Sequence, residues 1–429
     1  MMKLPLSFRM LCGRLLTRSG DQAWDFAVPI VLLQIFPGNL RIAALYYLLV
    51  RIATVLTLPQ FSKVIDHVNR WRAARLGILI QLVGVIGGLL SLHAVSSTFR
   101  SGMNSVEFIA AFSALVITGL ASQLGSSFMD ISVANDLVPS TFEGQELAKF
   151  NSRLRQVDLF TEVVSPVLAG SILILSTVDQ PLYGFGLIAF WNIASFLPEY
   201  GILKSIFNER PDLKEKAIRV DVSVRSSIWF KMHVGWKSFL KQPIAPVMIA
   251  YALLWLSVLS PHGVLLTGFL KGGWHLPEWM IGAFRGLGAL FGLLATVIYP
   301  MVLKRTTVEK ASGLFLGFQS LAVLLALLLF LIGSEAGQIG FLVMILFSRI
   351  GLYGFSLGEM QIRQTQIVAN ERGEVNGFAS ALTAFATIGL FSFGVILPTT
   401  NEFKYLVVAS SVFVVTSLLV YLKWSRKQI

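Results

Sequence analysis

Charge is scarce in this chain. Only 14% of its 429 residues are Asp, Glu, Lys or Arg, against about a quarter in an ordinary soluble domain, which excludes a water-solvated globule. The single cysteine, Cys12, excludes an intrachain disulfide and any thiolate metal cluster. Histidine is nearly as rare, with five in the chain. None lies in a His-Glu-x-x-His motif, so an intramembrane metalloenzyme is not expected. Long hydrophilic loops are missing too, apart from one basic stretch near the middle. What is abundant is apolar: 55% of residues are hydrophobic and mean hydropathy is +0.72. The chain reads as a polytopic all-α membrane protein that is not an enzyme. The net charge of +12 then concerns loops rather than a nucleic-acid partner. No cleavable leader is expected, because the first apolar stretch carries Arg14, Arg18, Asp21 and Asp25 and lacks a short uninterrupted core before a cleavage site.

Stretches of about 20 apolar residues bounded by turn or charge signals give twelve spans. Sorting cations by alternate loops yields one rich set and one poor set. Lys3, Arg9, Arg70, Arg72, Arg75, Lys149, Arg153, Arg155, the Lys204 to Lys241 stretch, Lys304, Arg305, Lys310, Arg363, Arg372, Lys423, Arg426 and Lys427 form the first, and Arg41, Arg100, Lys271 and Lys404 the second. The positive-inside rule then puts both termini in the cytoplasm. The basic stretch divides the chain into an amino-terminal six-helix half, 1–206, a cytoplasmic linker, 207–242, and a carboxy-terminal six-helix half, 243–429. An amphipathic interfacial helix over Ser226 to Leu240 and a flexible linker are both compatible with that middle segment. Two six-helix halves about a basic linker resemble the major-facilitator architecture, although no residue-level repeat between the halves is evident.

Ionisable residues inside spans mark function by default. Asp21, Asp25, Asp130, Asp158, Glu162 and Glu199 all fall in the amino-terminal half, leaving Glu359 in the other. Thr17, Asp21 and Asp25 recur every four residues along the first span, and Asn192, Ser195 and Glu199 share a face of the sixth. Gln81 adds a further uncharged oxygen. Such a set suits a hard divalent cation, while an internal pair of Arg18 with Asp21, or a network joining helices, is the plainer reading. His262 is the histidine placed inside a span. Its neighbours Ser260, Pro261 and Gly263 break the seventh helix, and the freed carbonyls then need water or an ion; a plain proline kink beside a core histidine is the alternative. Asp66, Arg70, Asp130, Asn151, Arg155 and Asp158 cluster near cytoplasmic ends and are placed to form charge-assisted bonds that close that side; ungated surface charge is the alternative.

Arg14 to Phe26, Trp191 to Tyr200, Asn151 to Asp158, and Glu371-Arg372-Gly373 with Asn376-Gly377 together resemble the ferroportin family, the iron-exporting branch of the major-facilitator superfamily, over nearly the whole chain. The bacterial members are most similar. The resemblance implies export of Fe²⁺, and of Co²⁺, Ni²⁺ or Mn²⁺, by alternating access across a bacterial inner membrane, with protons as counter-ion and a monomeric carrier. It implies metal ligands at Thr17, Asp21, Asn192, Ser195 and Phe196, a second metal site at His262, a Ca²⁺ site at Asp21, Gln81, Asn192 and Glu199, and Arg372 among the gating residues. No resident cofactor is implied. Animal members carry a cysteine where this chain has His262 and a histidine where it has Leu390, so regulation by an extracellular peptide hormone is not expected. A major-facilitator efflux carrier for organic cations is the alternative function, and its cavity would favour aromatic breadth over converging oxygens.

Overall fold

The computed structural model describes residues 5–37, 39–99, 102–142, 144–176, 182–214, 236, 239–367 and 372–427; within helices, the side chains at 58–67, 131, 134–135, 144–145, 147–149, 151–152, 364 and 372–378 are outside that description. The described chain is helical, with one isolated antiparallel bridge between Asn39 and Thr399. The long helices are α1 (Leu6–Ile35), α2 (Arg41–His67), α3 (Arg70–Thr98), α4 (Val106–Met129), α5 (Gly144–Leu173) and α6 (Tyr183–Glu209). They continue with the half-length α7 (Ala245–Leu254) and α8 (Val264–Gly272), then α9 (Glu278–Leu303), α10 (Val308–Ile332), α11 (Glu335–Gln366), α12 (Arg372–Ile396) and α13 (Phe403–Ser425). Helices occupy all twelve stretches read from the sequence, the seventh as two halves. By length and apolarity, nine among the described residues can cross a bilayer. The middle segment at 215–235, with most of the amphipathic stretch from Ser226 to Leu240, lies outside the described residues.

Local signals explain where these helices start. Asn69, Ser105, Thr307 and Ser334 each accept a first-turn amide of α3, α4, α10 and α11 respectively, satisfying donors that an apolar run cannot. Glu107, Glu309 and Glu335 add a carboxylate to the positive end of three of them. Gly333 ends α10 at φ 70°, a conformation that side chains with a Cβ resist. Thr399 and Glu402 hold each other ahead of α13: the Thr399 amide and hydroxyl donate to the Glu402 carboxylate at 3.0 and 2.8 Å, and the Glu402 amide donates to the Thr399 hydroxyl at 3.3 Å.

The chain divides into two compact units. Unit 1 comprises Met1–Pro37, Tyr46–Val220 and Leu276–Ala283, and unit 2 comprises Gly38–Leu45, Asp221–His275 and Phe284–Ile429. In unit 1, α3 and α4 pack through small residues. A Cβ on Gly84 would meet the Ser122 amide nitrogen at 2.3 Å, and one on Gly125 the Gln81 nitrogen at 2.5 Å. Close backbone approach of this kind drives helix association where lipid removes the hydrophobic gain. In unit 2, α10 and α11 repeat the device: a Cβ on Gly351 would lie 2.6 Å from the Gln319 nitrogen. A glutamine against a glycine thus recurs at corresponding helix pairs, a correspondence that the sequence alone did not reveal. At Asp130–Leu137, directly after α4, the chain winds as a π-helix, a local overwidening that tends to occur at functional positions.

Candidate functional site

In unit 1, α1, α3, α4 and α6 converge on Asp21. Gly20 allows the approach: a Cβ there would stand 3.0 Å from both the Cα and the Oδ1 of Asn192. The Gln81 amide donates to one oxygen of Asp21, and the Ser126 hydroxyl donates to the other at 2.8 Å. Asp21 is buried, as are Thr17, Gln81, Asn192, Ser195, Phe196 and Glu199. The Thr17 hydroxyl donates to the Gly13 carbonyl at 3.1 Å, and that of Ser195 to the Asn192 carbonyl at 2.6 Å. Each retains lone pairs for a ligand. Phe196 is buried on the same helix as Ser195 and has no polar side-chain atom, so its backbone carbonyl is the donor it could offer.

Several oxygens here lack partners. Gln81 Oε1, Asn192 Oδ1 and Glu199 Oε2 are buried and accept no hydrogen bond. Buried orphan acceptors are costly, and three of them around one carboxylate match the oxygen-only donor set of a hard or borderline divalent cation. Among the described residues, no group of three His, Cys, Asp or Glu side chains could hold a metal. The donors beyond Asp21 and Glu199 are therefore neutral oxygens. A cavity borders the site, lined among others by Thr17, Asp21, Ser126, Asp130 and Glu199.

Two expectations for α1 change in the structure. Arg18 does not pair with Asp21; it lies 3.5 Å from both Asp130 and Asp158, which leaves Asp21 without an ion-pair partner among the described residues. Asp25 is exposed, unlike Thr17 and Asp21. Pro29 and Leu32, one and two turns further along the same side, are buried again, so helical spacing alone does not decide which of these three side chains is enclosed.

The charged residues at the other end of the site also pair in an order the sequence did not supply. Arg14 binds Asp158 through two nitrogens and contacts Asp130 through a third, joining α1, the π-helical turn and α5. Arg70 instead donates to Asp136 at 2.9 Å and to the Leu213 carbonyl at 3.2 Å. Arg155 is exposed. The side chains of Asp66, Asn151 and Arg372 lie outside the described residues. The π-helix separates Asp130 and Asp136 onto different partners, all of them within unit 1.

In unit 2 the break in the seventh span runs from the end of α7 to Gly263, with Ser257 to Ser260 in no regular structure. His262 is half-buried and close enough to Arg285 and Arg349 to interact with both charges. Gly288 of α9 lets the break approach, since a Cβ there would meet Pro261 at 2.6 Å and His262 Nε2 at 3.6 Å. Arg51, Arg285 and Arg349 stand inside helices. Sorting cations by loop passed over all three, and the signal that finds them is an arginine within an apolar span.

The chain has counterparts among known proteins. Ferreportin of Bdellovibrio bacteriovorus is 44% identical over 426 residues, covering 99% of this chain and 96% of that protein. A crystal structure of a bacterial homologue of the iron transporter ferroportin in an inward-facing state superimposes with a TM-score of 0.89 at 43% identity, over 99% of this chain and 100% of that one. An outward-facing structure of such a homologue with soaked iron gives 0.68 at 43% identity, over 98% and 100%. A peptide transporter at 13% identity still gives 0.66 over 98% and 95%, and the fold is accordingly the major-facilitator one. A family model described as Ferroportin1 matches residues 5–414, and with a relative 44% identical along nearly its full length, the chain belongs to the ferroportin family.

Proposed function

We propose that this protein exports Fe²⁺ and similar divalent ions, Co²⁺, Ni²⁺ and Mn²⁺ among them, by alternating access in exchange for protons. One observation carries the reading: the unpartnered buried oxygens of Gln81, Asn192 and Glu199 gathered around the Asp21 carboxylate. In this reading Thr17, Asp21, Asn192, Ser195 and the Phe196 carbonyl hold the metal in unit 1, and His262 takes it in unit 2. Ca²⁺, larger and more tolerant of high coordination, binds the overlapping set Asp21, Gln81, Asn192 and Glu199 and competes with the cargo. Solved bacterial homologues of the iron transporter ferroportin, one of them with soaked iron, support the choice of metal. Converging oxygens favour a bare ion over an organic cation, which would need a broad apolar surface.

Protons compete with metal for the same carboxylate and imidazole lone pairs, so loading and release can be coupled to a proton gradient. Asp66, Arg70, Asp130, Asn151, Arg155 and Asp158 of unit 1 and Arg372 of unit 2 act in gating, with Arg14 and Arg18 as the cations that Asp130 and Asp158 bind. The protein works as a monomer in a bacterial inner membrane with both termini cytoplasmic, following the loop charges. The test is Co²⁺ flux in proteoliposomes with and without a pH gradient. Asp21→Ala should cut flux at least tenfold while the protein stays folded, and undiminished flux in that variant would refute the site.

A further inference from the structure

In the unwound stretch before Gly263, turn bonds pair the Val258 and Ser260 carbonyls with the Ser260 and Gly263 amides; the Leu259 carbonyl between them has no such bond, and in a membrane protein a carbonyl of this kind needs another donor, water or an ion. The structure supplies a cation from the chain itself. Arg349 of α11 donates through Nη2 to the Leu259 carbonyl at 2.8 Å and to the Ser348 hydroxyl at 3.3 Å, and through Nη1 to the Ser260 hydroxyl at 3.3 Å. It is 4% exposed. None of the ion pairs among the described residues involves Arg349, and its Nε has no hydrogen-bond partner. A buried guanidinium without a counter-ion is held by dipoles alone, and here the dipoles are a freed carbonyl and two hydroxyls. These are the oxygens that a bare cation would seek at a broken helix.

We propose that Arg349 is a tethered cation occupying the second site: a transported ion reaches His262 only when the guanidinium leaves Leu259 and Ser260, and the guanidinium returns as the ion departs. The proposal rests on the export reading and refines its second site. Charge makes the two states exclusive, because His262 already lies within the field of Arg349 and Arg285 and a divalent ion there meets like charge from both. Exchange keeps the freed carbonyl paired at every stage. It also gives metal release an intramolecular competitor, at an effective concentration that no solution ion matches. The two units thus solve the same problem with opposite sign: Gln81 of unit 1 serves a carboxylate, whereas unit 2 places an arginine at its break.

The experiment titrates Co²⁺ into the purified full-length chain by calorimetry, with Asp21→Ala silencing the first site. Adding Arg349→Gln should tighten Co²⁺ binding at least tenfold, adding His262→Ala should remove that gain, and Arg349→Lys, which keeps the charge, should stay near the parent affinity. In proteoliposomes, Arg349→Gln in the otherwise unmodified protein should lower flux at saturating Co²⁺, since nothing returns to displace the ion. Unchanged or weaker binding in a folded Arg349→Gln protein overturns the proposal, as does a gain that survives removal of His262. If Arg349→Gln does not fold, Ser348→Ala loosens the guanidinium without touching the break and should still tighten Co²⁺ binding about threefold; no change overturns the proposal equally. Absence of Co²⁺ flux in the unmodified protein would refute the export reading itself, a result separate from these binding outcomes.

Discussion

Arg14 grips Asp158 with two parallel hydrogen bonds, Nε to Oδ1 at 2.8 Å and Nη2 to Oδ2 at 3.1 Å, and so ties α1 to α5. The fork geometry of a guanidinium matches a carboxylate and gives orientation as well as energy. Both side chains are largely shielded, at 10% and 16% exposure, so the pair is not an ordinary surface bridge. Asp158→Ala is expected to cost roughly 1.5–3 kcal/mol of stability, read as a lowered unfolding midpoint in detergent. Arg14→Lys should lose much of the same amount, because an ammonium cannot make the paired bonds. An unaltered midpoint for both variants would show that the pair contributes nothing.

Gly20 sets the distance between α1 and α6. A Cβ there would press on the Cα and side-chain oxygen of Asn192 at 3.0 Å, so Gly20→Ala must shift α6 or turn the amide away. Overpacking of this kind costs about 1–3 kcal/mol. We expect lower stability and Co²⁺ binding weakened at least fivefold. Gly186→Ala, also on α6 but with nothing within 4 Å of the added carbon, should leave Co²⁺ affinity unchanged. Equal behaviour of the two variants would mean that the approach at Gly20 does not shape the metal site.

Metal and proton compete for Asp21 and Glu199 in the proposed site, so Co²⁺ affinity should fall as pH falls and binding should release protons. Calorimetry in buffers of different ionisation enthalpy counts those protons directly. The Asp21→Asn, Glu199→Gln double variant should lose the release, and full retention would move proton coupling to other groups.

Glu402, outside the spans, gives a pH effect of known sign. The Thr399 amide and hydroxyl hold its carboxyl below the usual range. A depressed native value contributes stability that is fully present above the unfolded-state value, about 4.3, and is lost as pH falls through the lower native one. Glu402→Gln should flatten this acid-side dependence of the unfolding midpoint; an identical pH profile would remove the carboxylate from the account.

The sequence carried the membrane fold plainly, because apolar runs of bilayer length are hard to mimic. It also carried the residues around Asp21, since polar groups in such runs are rare and helical spacing sorts them by face. Asn192, Ser195 and Glu199 do share a buried face, and Pro261 with Gly263 marked the break. Pairing was not legible: which acid meets Arg14 or Arg70 depends on helix crossings that periodicity does not encode. The exposure of Asp25 and the π-helical turn that parts Asp130 from Asp136 are likewise products of tertiary geometry. Arg349 escaped notice for another reason, as its partners are a backbone carbonyl and hydroxyls rather than an acid.

The glycine contacts between α3 and α4 bear on how the protein is made. These helices follow one another in the chain, and Gly77, Gly84, Gly87 and Gly125 line their contact, so the hairpin can zip as soon as its second arm enters the bilayer, at little loop-closure entropy. The first helix has no such local companion. The acids that neutralise Arg14 lie 116 and 144 residues further along the chain, so α1 can complete its ion pairs only after α4 and α5 have been synthesised. Truncation before α5 therefore removes Asp158 and leaves Arg14 without its two-pronged partner, whereas the contact of α3 with α4 is complete within the shorter chain.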